Sequence, residues 1–196
     1  MTYQMKPLAC DPTSPPGLSE KLIVSHYENN YGGAVKRLNA ITAELAALDV
    51  ATAPVFVLNG LKREELIATN SMILHEVYFD SLGDGGPLEG DLKAAIERDF
   101  GSVTRWQAEF TAMGKALGGG SGWVLLTYSA RDGRLVNQWA SDHAHTLAGA
   151  TPVLALDMYE HSYHMDYGAK AAAYVDAFMQ NIHWKHVAAR LAAVQR

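Results

Sequence analysis

The sequence predicts an α+β protein: an N-terminal helical hairpin packed on a C-terminal half in which helices surround a small three-stranded antiparallel sheet. Three observations lead there. Two long helical patterns fill the chain up to residue 82, the glycine-rich run Gly83-Asp84-Gly85-Gly86-Pro87 then ends them, and short strand patterns flanked by helical ones follow. The break divides the chain into an expected helical domain, 1–86, and a mixed domain, 87–196.

After an irregular proline-rich lead (7–17), residues 18 to about 48 read as one long helix or a helix pair, with Ser19 as cap and Glu20 in the first turn. The Gly32-Gly33 pair is expected to weaken or kink it. Residues 61–82 form a second helix, and an antiparallel pairing of the two carries His26 and His75 inward. Beyond the break, 91–100 and 103–117 read as helices, the latter stopped by glycines 118–120. Residues 123–129 and 135–140 read as a strand hairpin turned through Arg131-Asp132-Gly133-Arg134. A third strand covers 152–156, and helices are expected over 163–179 and 184–194.

Composition bounds the function. A chain of 196 residues, 48% hydrophobic, buries a sizeable core as one domain or two small closely packed ones. One cysteine, Cys10, excludes an internal disulfide, and with no charged-then-apolar leader ahead of the first helix the expected location is the cytoplasm. No apolar run approaches membrane-spanning length, and a net charge of −5 argues against nucleic acid as a partner.

The most informative segment is Asp157-Met158-Tyr159-Glu160-His161, which closes the apolar run 151–156 with a carboxylate and an imidazole four residues apart. If a helix begins at Asp157, both side chains reach one ion from the same face. Carboxylate with imidazole suits iron, manganese or zinc. The plain alternative is a helix cap followed by a first-turn histidine.

The run Asp157-Met158-Tyr159-Glu160-His161-Ser162-Tyr163 resembles the D-x-W-E-H-A-Y signature of the iron/manganese superoxide dismutases. The similarity extends in register to Tyr174-Val175-Asp176-Ala177-Phe178, Asn181-Ile182-His183-Trp184-Lys185-His186-Val187, Gly120-Ser121-Gly122-Trp123-Val124-Leu125-Leu126, the helix from His75 to Leu82, and Ser25-His26-Tyr27 with Val35-Lys36-Arg37-Leu38-Asn39. It covers nearly the whole chain.

The resemblance implies superoxide dismutation at one iron or manganese ion per chain, iron being favoured, with His26, His75, Asp157 and His161 as ligands and solvent in a fifth position. Taken singly, His26 reads as a helix-surface residue, His75 as a core histidine and Asp157 as a cap. The family's solvent-binding glutamine has no counterpart at Ser71, and His143 takes its place, with His145 as the alternative. Trp123 is expected to wall the cavity. Glu160 is expected to reach the ligand histidine of a second copy, and Tyr163 to approach the first helix across that interface, which implies a homodimer, with a tetramer as a further option. His164, His183 and His186 are assigned no chemistry.

There are departures from the family pattern. Counted without a gap from His26, the second helical histidine becomes Asn30 and the gateway tyrosine becomes Ala34; Tyr31 replaces the tyrosine only if Gly32-Gly33 distorts the helix. Tyr159 stands for a tryptophan, and of the usual Y-x-x-R-R arginines only Lys170 remains. These losses leave a second reading open: a dimeric metal-binding protein with little or no turnover on the same scaffold.

Overall fold

The computed structural model describes residues 2–83 and 85–195, so Asp84 of the expected break lies outside the described residues. The first rod has three parts: α1 (Glu20–Ser25), a π-helical stretch (His26–Tyr31) and α2 (Gly32–Ala47). Ser19 caps it as expected, its Oγ accepting from the Leu22 amide at 3.1 Å. Its backbone amide and hydroxyl in turn donate to Asp166, both at 2.7 Å, tying the start of the rod to the far end of the chain. Gly32 keeps helical dihedrals and does not kink the rod. Its bare Cα admits the N-terminal segment, because a Cβ there would stand 3.1 Å from the Met5 sulfur. The irregularity is the π stretch ahead of the glycines.

Helix α3 (Val55–Asp80) returns antiparallel to α2 and begins six residues earlier than the pattern from 61 implied. Its buried residues include Ala68, Ser71, Met72, His75, Tyr78 and Phe79, the spacing of one helical face. Helices α4 (Gly90–Phe100) and α5 (Val103–Ala116) follow, then β1 (Trp123–Ser129), β2 (Arg134–Ala140) and β3 (Ala150–Asp157). The sheet is antiparallel throughout, in the order β2-β1-β3. Helices α4 and α5 pack against β2 and β1, and α3 against β3, so strands buried on both faces read as continuous apolar runs.

Two expectations need correction. Asp157 ends β3 and does not open a helix; a 3₁₀ turn, Glu160–Ser162, carries His161 instead. The helix expected over 163–179 is two, α6 (His164–Tyr167) and α7 (Ala171–Gln180), because Gly168 turns the chain at φ +53° between them. Helix α8 (Trp184–Val194) closes the fold and packs on β3. The two halves are joined where α3 ends: the Gly83 amide donates to the Asn181 carbonyl at 2.9 Å and the His183 amide to the Ser81 carbonyl at 2.7 Å. Among the described residues no helix is long and apolar enough to cross a membrane.

Candidate metal centre

His26 enters from the π stretch, His75 from the buried face of α3, Asp157 from the last position of β3, and His161 from the 3₁₀ turn. One donor atom from each lies within 4.8 Å of all the others. The Nε2 atoms of His26, His161 and His75 stand 3.2, 3.2 and 3.5 Å from Asp157 Oδ2. Asp157, His26 and His75 are buried, whereas His161 keeps a quarter of its side chain exposed.

Hydrogen bonding shows what this cluster can hold. The Nδ1 of His75 lies 2.7 Å from the Ser71 carbonyl, which can only accept, so Nδ1 carries the proton. Burial, helped by the neighbouring His26, pushes His75 down to about 3, so the ring is neutral near pH 7. Its Nε2 is then a bare lone pair facing a carboxylate. The Nε2 atoms of His26 and His75 are both buried without a hydrogen-bond partner. Burial also lowers His26. For Asp157 burial acts upward, but His161 and His26 outweigh it and hold the carboxyl below the usual range. The bare His75 nitrogen, the unpartnered His26 nitrogen and His161 Nε2 converge on one buried carboxylate oxygen, so the residues present fit a metal ion with three nitrogen donors and one oxygen donor.

Surrounding groups fix these donors. Asp157 Oδ1 accepts from the Tyr159 amide at 2.9 Å, and its backbone carbonyl accepts from Ser162 Oγ and Tyr174 Oη, each at 2.8 Å. Trp123, fully buried, meets the His75 ring edge to face at 5.3 Å and donates from Nε1 to His143 Nδ1 at 3.0 Å. An indole N–H only donates, so His143 carries its own proton on Nε2. Burial lowers His143 as well, keeping that ring neutral. Tyr159 lies nearly parallel between His143 at 4.7 Å and His161 at 5.4 Å, its hydroxyl pushed up to about 12 by burial and the nearby Asp157.

A pocket of about 250 Å³ opens on this cluster and is bordered by His75, His143 and His161 together with Asn30, Ala34, Arg37 and Ser71. His143, of the two loop histidines, is the one brought to the site. His145 is exposed beside Ser141, 2.7 Å from its hydroxyl, and stacks on Trp139. Asn30 and Ala34 both border the pocket. Tyr31 stacks on His75 at 6.3 Å, but its hydroxyl accepts from the Lys6 amide and donates to Glu76, and it does not border the pocket. Tyr163 is buried against Tyr174 at 5.4 Å, and Glu160 is exposed beside a second hollow bordered by Ser25, Asn30, His161, His164 and Met165. Sequence reasoning missed Arg37 and Tyr174. The spacing Asn30, Gly33, Ala34, Arg37 was the available signal for the first, being one helix face.

Residues 88–190 match the family model described as iron/manganese superoxide dismutases, C-terminal domain. The chain is 86% identical, over the whole of both chains, to a superoxide dismutase [Fe] of Cupriavidus metallidurans. It is 35% identical to a superoxide dismutase [Fe] of Aquifex aeolicus over 86% of this chain and 81% of that one. It is also 33% identical to a superoxide dismutase [Mn] 2 of Haloferax volcanii over 97% and 96% of the two chains. A cluster of three histidines and an aspartate on this fold, with a family match across more than half its length and 86% identity to a whole relative, leaves one assignment: the chain belongs to the iron/manganese superoxide dismutase family.

Proposed function

We propose that the chain disproportionates superoxide to dioxygen and hydrogen peroxide at a single redox ion held by His26, His75, Asp157 and His161. The observation that carries this is the convergence of three imidazole nitrogens on one buried carboxylate oxygen, two of those nitrogens having no other partner. A bound iron or manganese ion would supply one-electron chemistry, taking an electron from one superoxide and giving it to a second that is protonated to peroxide. Iron is preferred because the relative at 86% identity is named for iron, while one at 33% is named for manganese.

The chain's own residues divide the remaining work. Asp157 supplies the negative charge; the Tyr159 amide on Oδ1 restrains rotation of the carboxylate, and Ser162 and Tyr174 hold the backbone carbonyl behind it. Ser71 fixes the tautomer of His75. His143 offers the Nε2–H as a donor to solvent in the pocket, and Trp123 holds that ring in the donating tautomer. Tyr163 acts at a distance, by packing on the Tyr174 ring that bonds the Asp157 carbonyl.

The four donors come two from each side of residue 86, so we read 1–86 and 87–196 as domains that build the centre jointly. We also read the exposed Glu160 and the apolar Met165 beside it as part of a twofold interface in which Glu160 meets the ligand histidine of a second copy. The lone cysteine supports a reducing compartment, the cytoplasm.

The test is dismutation by protein reconstituted separately with iron and manganese, with metal content measured on the same samples and Asp157→Ala as control. Turnover with one ion, lost in the control, supports the reading. A tightly bound ion with no turnover favours the scaffold reading, to which Asn30 and Ala34 at the pocket point. Ala34→Tyr separates the two: it raises the rate or shifts its pH range in an enzyme, and an unchanged zero rate rejects dismutation.

A further inference from the structure

One wall of the pocket carries a charge that the proposed function leaves unused. Asn30, Gly33, Ala34 and Arg37 share one face of the first rod, and Ala68 and Ser71 of α3 stand opposite. Asn29 and Ile67 complete the lining, so Arg37 and the inner histidines border the same open space. Among the described residues bordering this pocket, Arg37 is the one lysine or arginine.

Its ion pairing is lopsided. Arg37 Nη1 lies 3.8 Å from Glu64 Oε2, at the edge of contact, while Arg63 Nη1 lies 2.9 Å from Glu64 Oε1. Two cations thus share one carboxylate, and the shorter contact belongs to Arg63. Arg37, with 65% of its side chain exposed, is thus not tightly paired with Glu64.

We infer that Arg37 captures the anionic substrate at the pocket mouth, and that Glu64, shared with Arg63, sets how much positive charge it presents. This rests on the dismutase reading. A chain of net charge −5 repels an anion at long range. A unit charge about 10 Å away in a water-like dielectric changes the local anion concentration roughly twofold, and more where protein walls focus the field. The same field acts on any small anion that enters the pocket, including one that does not react.

The experiment uses the iron-loaded full chain and the variants Arg37→Gln, Glu64→Gln and Arg63→Gln. Lys93→Gln, the same charge change on α4 away from the pocket, is the control. Two quantities are followed from low to physiological ionic strength: the second-order rate of superoxide loss, and the affinity for azide read from the absorbance of the ferric protein. Wild type should lose rate and azide affinity as salt rises. Arg37→Gln should be about two- to fivefold lower in both at low salt and should lose the wild-type fall with salt. Glu64→Gln should exceed wild type, and Arg63→Gln should fall below it, because the freed carboxylate turns to Arg37. Arg37→Gln tracking Lys93→Gln in both readouts overturns the inference. Arg37-dependent azide affinity in a protein without turnover supports the capture site and rejects the dismutase reading.

Discussion

Trp123→Phe tests the least redundant link in the centre. The indole is fully buried, opens β1 where it pairs with both Ala140 and Asp157, and holds His143 by one hydrogen bond of 3.0 Å. Phenylalanine keeps an aromatic wall against His75 and removes the N–H together with part of the ring. The lost bond and the acceptor left behind cost about 1–2 kcal/mol, and the cavity a similar amount, so unfolding stability should fall by about 2–4 kcal/mol. The functional effect is separate. Without the indole donor, the His143 proton is free to move to Nδ1, and the pocket loses its fixed N–H. Losses of this kind around metal sites cost about 10–100-fold in activity or metal affinity. The assay is denaturant unfolding of the metal-free protein alongside the dismutation rate, its pH profile and the reduction potential of the loaded protein. His143→Gln, which offers the indole an acceptor and the pocket a donor, should retain most activity, and His143→Leu should not. A Trp123→Phe protein that loses stability but keeps the wild-type potential and pH profile would refute the assigned role of the bond.

His75 is held near 3 while its unfolded value is 6.5, so unfolding takes up a proton between those values; stability is full above the upper one and declines as pH falls, by up to about 1.4 kcal/mol per unit. His26 is shifted in the same direction, so urea unfolding of the metal-free protein from about pH 8 to about pH 5 should show a clear loss, and a flat profile contradicts the buried neutral pair. Tyr31→Phe should leave dismutation unchanged and cost about 1 kcal/mol or more of stability, because the hydroxyl serves Lys6 and Glu76 and not the pocket; a changed pH profile would restore Tyr31 as a gateway. Gly122→Ala should lower the melting temperature sharply, since Gly122 sits at φ +134° and a Cβ would collide with the Ala140 carbonyl oxygen. A near-wild-type melting temperature would mean that the β1–β2 junction yields more easily than its geometry implies.

The fold was legible where pattern and packing agree. The α3 stripe, the β1–β2 hairpin and the limits of α8 follow from periodicity and turn residues that tertiary contacts do not override. The π stretch was not legible, because a one-residue widening of a helix leaves no compositional mark; it shows only in the paths of His26 and Tyr31. Gly32-Gly33 was read as a weakness because the approach of Met5 is a long-range fact. The i, i+4 reasoning at Asp157 named the right pair for a wrong reason: a strand end and a 3₁₀ turn bring the side chains together, with no helix between them. Arg37 escaped notice because its value depends on what stands opposite, on the small residues of α3 and on the sharing of Glu64.

Reading His143 as the counterpart of the family's glutamine, as we propose, raises a physical question. A glutamine amide presents a donor and an acceptor that neither titrate nor exchange near neutral pH, whereas an imidazole can gain a proton or move one between its nitrogens. To serve as a fixed donor, His143 must be denied both freedoms. Burial opposes protonation and keeps the ring neutral. The Trp123 N–H occupies Nδ1 and so excludes the other tautomer. Asn70 donates to the His143 backbone carbonyl at 2.6 Å and holds the loop, while Tyr159 stacks at an interplanar angle of 13° and holds the ring plane. Tyr159 and His143, which we read in place of the family's tryptophan and glutamine, are in face-to-face contact, so the two proposed departures form one packed unit. The exchanges at residues 143 and 159 should therefore couple: reverting both, His143→Gln with Tyr159→Trp, should perturb activity by less than the two single changes combined.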